Sequence, residues 1–435
     1  MSRFHFEKIL FVFLFISQFS YGQDTIYARK IIDLLSSASF SGRGYVNKGD
    51  SLAANYIANE YKTMGLKSFS KNYIQPFSFP INTFPGEISF KTDQKSLEAG
   101  KDFMVSASSN SIKGEFEVVY LKKGNIKSAS SIEKFISRQA NNRFVVIDKR
   151  NFKKKEHLEY IDALKQNNSL KAKGYIQIND GHLYWSVSNG RKTGDCPYII
   201  VSREKFPKKT KKVEVEIESR FYNKYPTQNV VSWIEGAVQP DTFLVFTGHY
   251  DHLGRMGKDV YFPGANDNAS GTAMLLNLAK HFSNATEKPY YSIAFMNFTG
   301  EEAGLLGSKY YTENPLFPLK SIKFLFNLDM VGTGKEGITV VNATAFENEF
   351  KRLTSLNDTL TMFPLIKKRA EAANSDHYFF YKKGVPCFFI YSFGGSPAYH
   401  DVYDVSEAID LRGFEKLTKL MIKYVRDVSP LKPKP

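Results

Sequence analysis

The stretch from His249 to Glu302 holds side chains of the kinds that bind metal ions and move protons: His249 in GHYDH, Asp267 in GANDNASG, and the adjacent Glu301 and Glu302 in FTGEEAGLLGS. Asp329 in NLDMVG and His400 in AYHDVYD add two more. Imidazole nitrogen and carboxylate oxygen without cysteine form a borderline donor set that suits zinc, with manganese or cobalt as substitutes. Two histidines and three carboxylates exceed what one catalytic zinc needs, and they fit two ions about 3.5–4 Å apart that share a bridging carboxylate. Asp267 is the middle residue of the set, with two oxygens free to face either way. His249 and Asp329 then complete one site, and Glu302 and His400 the other.

Glu301 takes a different role. Consecutive side chains leaving a strand point apart, so Glu302 can bind metal while Glu301 handles protons. Zinc lowers the pKa of a water molecule towards roughly 7, and a carboxylate beside it can accept that proton and pass it to a leaving amine. Asp251 is placed to hold the ring of His249 through its other nitrogen, and Asp404 to do the same for His400. Tyr399, next to His400, can donate a hydrogen bond to the oxyanion of a tetrahedral intermediate. His252, His281 and His377 read as packing or surface histidines, and His157 and His182 fall in a different part of the chain. Taken singly, EE is a solvated loop and NDNASG an ordinary capped helix start. Five ligand-type residues at five strand or helix boundaries weigh against coincidence.

These residues need elements to carry them. From Asn229 onward the pattern predicts strands at 242–246, 291–297, 322–328, 338–341 and 387–392, alternating with helices at 271–282, 305–313, 346–357, 375–382 and 410–428. Such alternation argues for an α/β domain with a mostly parallel central sheet flanked by helices, and in such sheets functional residues gather beyond the carboxyl ends of the strands. Residues 23–83 contribute two helices, the second over 50–64, to the same domain. Between them, 84–225 has a different texture: GEFEVVYL, RFVVIDK, KGYIQIN and CPYIIVS read as strands, 156–166 as a helix, and Val213, Val215 and Ile217 alternate with Glu214, Glu216 and Glu218 as in a half-exposed strand. We expect an inserted, strand-rich domain there, with the catalytic domain resuming at 226 and running to 430.

Residues 1–22, with Arg3, Lys8 and an apolar run over 9–19, read as a secretory signal cleaved before Gln23. The run is short against the roughly 20 residues of a spanning helix, and no later segment is expected to span a bilayer. The expectation is export to the periplasm or the exterior. The 435 residues are 42% hydrophobic and 15% aromatic, enough for packed cores. The net charge of +15 comes from lysine clusters such as FKKKEH and FPKKTKK, with no stacking or groove-reading motif beside them. A solvated lysine-rich face is expected, not nucleic-acid binding. Cys196 and Cys387 lack the spacing of a zinc knuckle and are read as free thiols.

GHYDH, PGANDNASG, FTGEEAGLLGS, NLDMVG, NSDHYFFYKKGVP and YHDVYD, in that order, resemble the zinc metallopeptidase family of secreted bacterial di-zinc leucyl aminopeptidases, glutamate carboxypeptidase II and glutaminyl cyclase. FSGRG followed by AANYIANEYKTMGL is similar to the family's opening segment, and the middle of the chain resembles a protease-associated domain. The resemblance implies peptide substrates, zinc bound by His249, Asp267 and Asp329, a second zinc bound by Asp267, Glu302 and His400, and Glu301 as catalytic base. It also implies a cis peptide bond between Asp267 and Asn268. Some aminopeptidases of the family have arginine where this chain has Asn374, a departure that bears on recognition of a free α-amine. The reading is an exported di-zinc aminopeptidase. A one-zinc glutaminyl cyclase, whose kind does not use the first histidine, a carboxypeptidase on the same metal centre, and a receptor-like scaffold that has lost ligands are the alternatives.

Overall fold

The structure, a computed structural model, describes residues 25–152, 154–166, 168–187 and 194–428. The expected signal segment 1–22 and the Pro/Lys tail lie outside the described residues.

Four parallel strands form the centre of an eight-stranded sheet, in the order Tyr291–Phe298, Gln239–His249, Ile322–Leu328 and Cys387–Phe393. On each side the strand next to this centre runs antiparallel to it. Arg220–Ile234 pairs with Tyr291–Phe298 and then with the edge strand Ile74–Thr83; on the far side Gly337–Val341 pairs with Cys387–Phe393, and Ile366–Lys368 lies outside it. The two long marginal strands are absent from the sequence expectation because prolines interrupt them. Pro76 and Pro80 sit on the sheet edge, where a missing N–H breaks no interior ladder, and the register slips between Phe79 and Ile81 around Pro80. Pro226 lies where its strand has only one neighbour, since pairing on the other side covers Val230 to Ile234.

Period-two alternation sends side chains of the central strands into two cores. Leu244, Phe246, Ile293, Phe295, Phe324 and Phe326 pack with the helices Thr25–Leu35, Gly49–Thr63, Ser270–Ser283 and Arg412–Val428. Phe243, Val245, Ala294 and Met296 pack against Tyr311 and Phe380, from the helices Leu306–Glu313 and His377–Lys382 on the opposite face. Fully burying side chains of this size is worth about 1.5–3 kcal/mol each.

A second eight-stranded sheet occupies the middle of the chain. Its strands Ile112–Tyr120, Phe144–Asp148, Gly174–Asn179 and Tyr198–Ser202 are mutually parallel. Parallel neighbours need long crossovers, and the helices Ala129–Phe135 and Lys155–Gln166 supply two of them, packing over one face. Lys212–Ile217 shows the expected alternation: Val213, Val215 and Ile217 are buried, while Glu214 and Glu216 meet Lys91 and Lys113 at 3.1 and 2.6 Å on the wet side. The other face of this sheet is not closed by its own residues alone, for Leu253, Met256 and Phe262, from the segment between His249 and Asp267, complete its core. Cys196 and Cys387 are free thiols.

Candidate metal centre

His249 ends its strand fully buried, and its Nε2 lies 3.3 Å from Asp267 Oδ1 and 3.3 Å from Asp329 Oδ1. His400 Nε2 lies 3.2 Å from Asp267 Oδ2 and 3.1 Å from Glu302 Oε2. Asp267 therefore turns one oxygen to each histidine. The far nitrogen of each ring faces a backbone carbonyl: His249 Nδ1 is 3.1 Å from the oxygen of Asp251, and His400 Nδ1 is 3.1 Å from that of Trp185. A carbonyl can only accept, so Nδ1 carries the proton in both rings. In the neutral rings each Nε2 then points a lone pair at two carboxylate oxygens. Acceptors facing acceptors call for a cation between them, and this donor set fits zinc. Donor atoms of His249, Glu301 and Asp329 lie within 4.8 Å of one another, as do those of His252, Asp267 and Glu302.

The loops that carry these groups are laced by small polar side chains. Asn268 donates to the Leu328 carbonyl at 3.0 Å and accepts from the N–H groups of Gly271 and Met330. Ser270 donates to the Asn266 carbonyl and accepts from Val331 N–H at 3.0 Å, and Asn266 Oδ1 accepts from Gly332 N–H. NDNAS is thus more than a helix start; it binds the turn of Asp267 to the turn of Asp329. The Asp267–Asn268 peptide bond is cis. Behind Asp329, Thr247 donates to Asn327, Asn327 to Ser375 Oγ at 2.8 Å, and Ser375 to Asp329 Oδ2 at 2.9 Å. Gly264, at φ +59°, lets the chain pass so close to the His252 ring and the Asp267 carbonyl that a Cβ would sit 2.3 and 2.2 Å from them.

Buried carboxylates at this density perturb one another. Burial raises the Asp267 carboxyl, but His249 and His400, which donate to it from Nε2 when their rings are protonated, outweigh burial and hold the group well below its ordinary value. Burial drives Glu301 the other way, well above the carboxylate range; His249 opposes this, and Glu302 and Asp329 add to it. The two adjacent glutamates separate, since Glu302 is lowered to about 2: His400 and His252 overcome burial there. A pocket of about 210 Å³ opens onto His249, Asp267, Glu301, Asp329 and His400, with Met330, Phe389, Tyr391, Asn374 and Tyr399 completing its wall. Tyr399 stacks on the His400 ring with centroids 3.9 Å apart.

One of the expected supporting contacts differs from the sequence reading, and the other is made mainly by the main chain. Asp404 does not hold the ring of His400. Its carboxylate accepts from the N–H groups of Asn266 and Asp267 at 2.9 and 3.0 Å, because the turn at Asp267 presents free amides that a buried carboxylate can satisfy. Asp251 touches His249 chiefly through its carbonyl; its carboxylate, 3.6 Å from Nδ1, accepts from Tyr45 Oη at 2.8 Å and Glu301 N–H at 3.3 Å.

Three residues enter that sequence reasoning passed over. His252 is fully buried, with Nδ1 2.7 Å from Glu302 Oε1, so Glu302 is gripped from one side by His252 and faces His400 from the other. Arg43, of FSGRG, is also fully buried and donates to the carbonyls of Leu35, Tyr250, Pro263, Gly264 and Asp267. Trp185 holds His400 by main-chain contacts. The signals were thin: a second histidine three positions after His249, an arginine between glycines, and one of only two tryptophans in the chain.

Residues 229–425 match peptidase family M28. The aminopeptidase YwaD of Bacillus subtilis is 28% identical over 244 residues, 55% of this chain and 50% of that protein. A "probable zinc metalloprotease" of Pyricularia oryzae is 35% identical over 125 residues, 28% of this chain and 24% of its own length. The chain thus spans half or less of these relatives. The crystal structure of BSAP, a zinc aminopeptidase from Bacillus subtilis, shares the fold, with a TM-score of 0.70 at 20% identity over 95% of this chain and 97% of that one.

Proposed function

Since residues 229–425 match peptidase family M28, we propose that the protein is an exported aminopeptidase that works with two zinc ions. One observation carries this reading: both histidines are fixed at Nδ1 by carbonyls and turn Nε2 towards carboxylate pairs that share Asp267. His249, Asp267 and Asp329 would hold one ion, and Asp267, Glu302 and His400 the other. Bound there, zinc supplies Lewis-acid activation of water and of the scissile carbonyl.

The remaining chemistry belongs to side chains. Glu301 lines the pocket beside His249 and Asp329, and cations among these carboxylates favour its ionised form. As general base it takes a proton from the attacking water; as the C–N bond breaks it delivers that proton to the departing amine nitrogen. Partial burial, with the carboxylates of Asp267, Glu302, Asp329 and Glu301 nearby, keeps the Tyr399 phenol above its ordinary value, so it remains a donor to the developing oxyanion. Met330, Phe389 and Tyr391 offer an apolar wall to the substrate's first side chain. The export signal rests on residues 1–22. Among the described residues, no helix is long and apolar enough to cross a membrane.

An assay on aminoacyl, N-blocked and C-terminal peptide substrates, with and without a zinc chelator, tests the reading. We expect chelator-sensitive release of N-terminal residues and no turnover of N-blocked substrates. Release from the C-terminus, or turnover indifferent to the chelator, overturns it.

A further inference from the structure

His400 is the ligand candidate furthest from a strand end, seven residues past Phe393, and its backbone adopts φ +52°. A non-glycine residue in that region is held there by its surroundings. The surroundings are the second layer. Trp185 N–H donates to the His400 carbonyl at 2.9 Å, while the Trp185 carbonyl receives His400 Nδ1 at 3.1 Å, so one residue clasps both the main chain and the ring. Trp185 is itself immobilised: its indole N–H donates to the Val105 carbonyl at 2.6 Å, and its ring stacks on Phe262, centroids 4.7 Å apart, in the segment that leads to Asp267. Three residues earlier, His182 Nε2 meets Asp401 Oδ2 at 2.5 Å. Asp401 in turn accepts from the N–H groups of Tyr399 and Tyr403 at 3.2 and 2.7 Å, closing the turn that displays His400.

We propose that the middle unit of the chain, through His182 and Trp185, is a positioning element of the metal centre and not merely a cover over the cleft. The clasp at Nδ1 fixes the tautomer, leaving the Nε2 lone pair for the metal, and fixes the ring so that this nitrogen faces Asp267 and Glu302. Partners of this kind behind metal-ligating histidines govern affinity by about 10–100-fold. This positioning role rests on the reading of His400 as a metal ligand, and the experiment separates the two.

Zinc content is measured by atomic absorption after dialysis against graded chelator, with the visible spectrum of the cobalt-substituted protein as a second readout. His400→Ala is expected to retain one zinc per chain where the parent retains two. Trp185→Ala should show the same selective loss at chelator concentrations about tenfold or more below those the parent withstands, and an altered cobalt spectrum. His182→Ala, a change at a partly exposed side chain, should weaken the same ion to a lesser degree, and His182→Gln, which keeps a donor for Asp401, should restore it. If His400→Ala keeps both ions, the ligand assignment fails. If His400→Ala loses one while His182→Ala retains the parent's zinc affinity and cobalt spectrum, the positioning role fails and the ligand assignment stands. Should Trp185→Ala not fold, the His182 pair decides.

Discussion

The Arg43 guanidinium donates to the carbonyl of Asp267 at 3.1 Å, reaching across 224 residues of chain to the residue that faces both histidines. Its other donors go to Leu35, Tyr250, Pro263 and Gly264, so one cation closes the turn after His249 against the turn before Asp267. Replacing it by methionine keeps the bulk and strands buried carbonyls. We expect Arg43→Met to cost about 3–5 kcal/mol in urea unfolding. Arg43→Lys should recover little, since an ammonium is a compact donor without the planar fork. A loss below about 1 kcal/mol in Arg43→Met would show that the clamp is dispensable.

Glu301→Gln preserves shape and removes the base. Turnover should fall by about 10²–10⁴-fold while zinc content stays at the parent's level. Parent-like turnover in the variant would remove Glu301 from the mechanism.

Ser375 joins Asn327 to Asp329, and Ser375→Ala leaves both without that partner. Chelator competition should report about 10–100-fold weaker binding of one ion, with the ion near His400 unaffected. Equal weakening of both ions would contradict the division of the centre into two halves.

His377 is fully buried against Phe389, and burial lowers its pKa from 6.5 to about 4. The folded state favours the neutral ring. Its contribution to stability is therefore complete above pH 6.5 and is lost as pH falls from 6.5 towards 4, on the order of 3 kcal/mol in all. His377→Gln should flatten that part of the stability profile; urea unfolding of parent and variant across pH 4–7 checks it. Parallel profiles would mean that the ring does not titrate in this window.

His249, Asp329 and the Glu301–Glu302 pair are legible because each follows closely on an apolar run, whereas Asp267 and His400 stand in polar, glycine- and proline-containing turns. Phe326 to Leu328 then Asp329, and Phe295 to Phe298 then Glu301 and Glu302, announce a strand and a group at its carboxyl end. The contacts that hold those groups were not legible, because they are made by carbonyls. Nothing in the letters marks the Trp185 carbonyl as the acceptor for His400, or the Asp251 carbonyl as that for His249. A sequence displays side chains, so it points Asp404 at a ring that the Trp185 carbonyl holds, and at His249 it shows the Asp251 carboxylate but not the carbonyl that lies closer. His252 was hidden for another reason. Its burial depends on Gly264 passing close to its ring, a contact between parts of the chain that no periodicity records.

Thr83 and Arg220 are paired across neighbouring strands, and the whole second sheet is threaded between them. Departure and return of the chain are therefore about 5 Å apart, a gap that a tight turn could bridge without disturbing the first sheet. By the path of the chain alone the middle unit is a removable module, although Leu253, Met256 and Phe262 would lose the core they complete. Chemically it is not, if Trp185 and His182 hold His400: a scaffold able to lose a third of its length has tied one ligand to the part it could shed. Acquiring such a unit is a single insertion at a hairpin, whereas giving it up requires rebuilding the support of His400 first, so the dependence works as a ratchet.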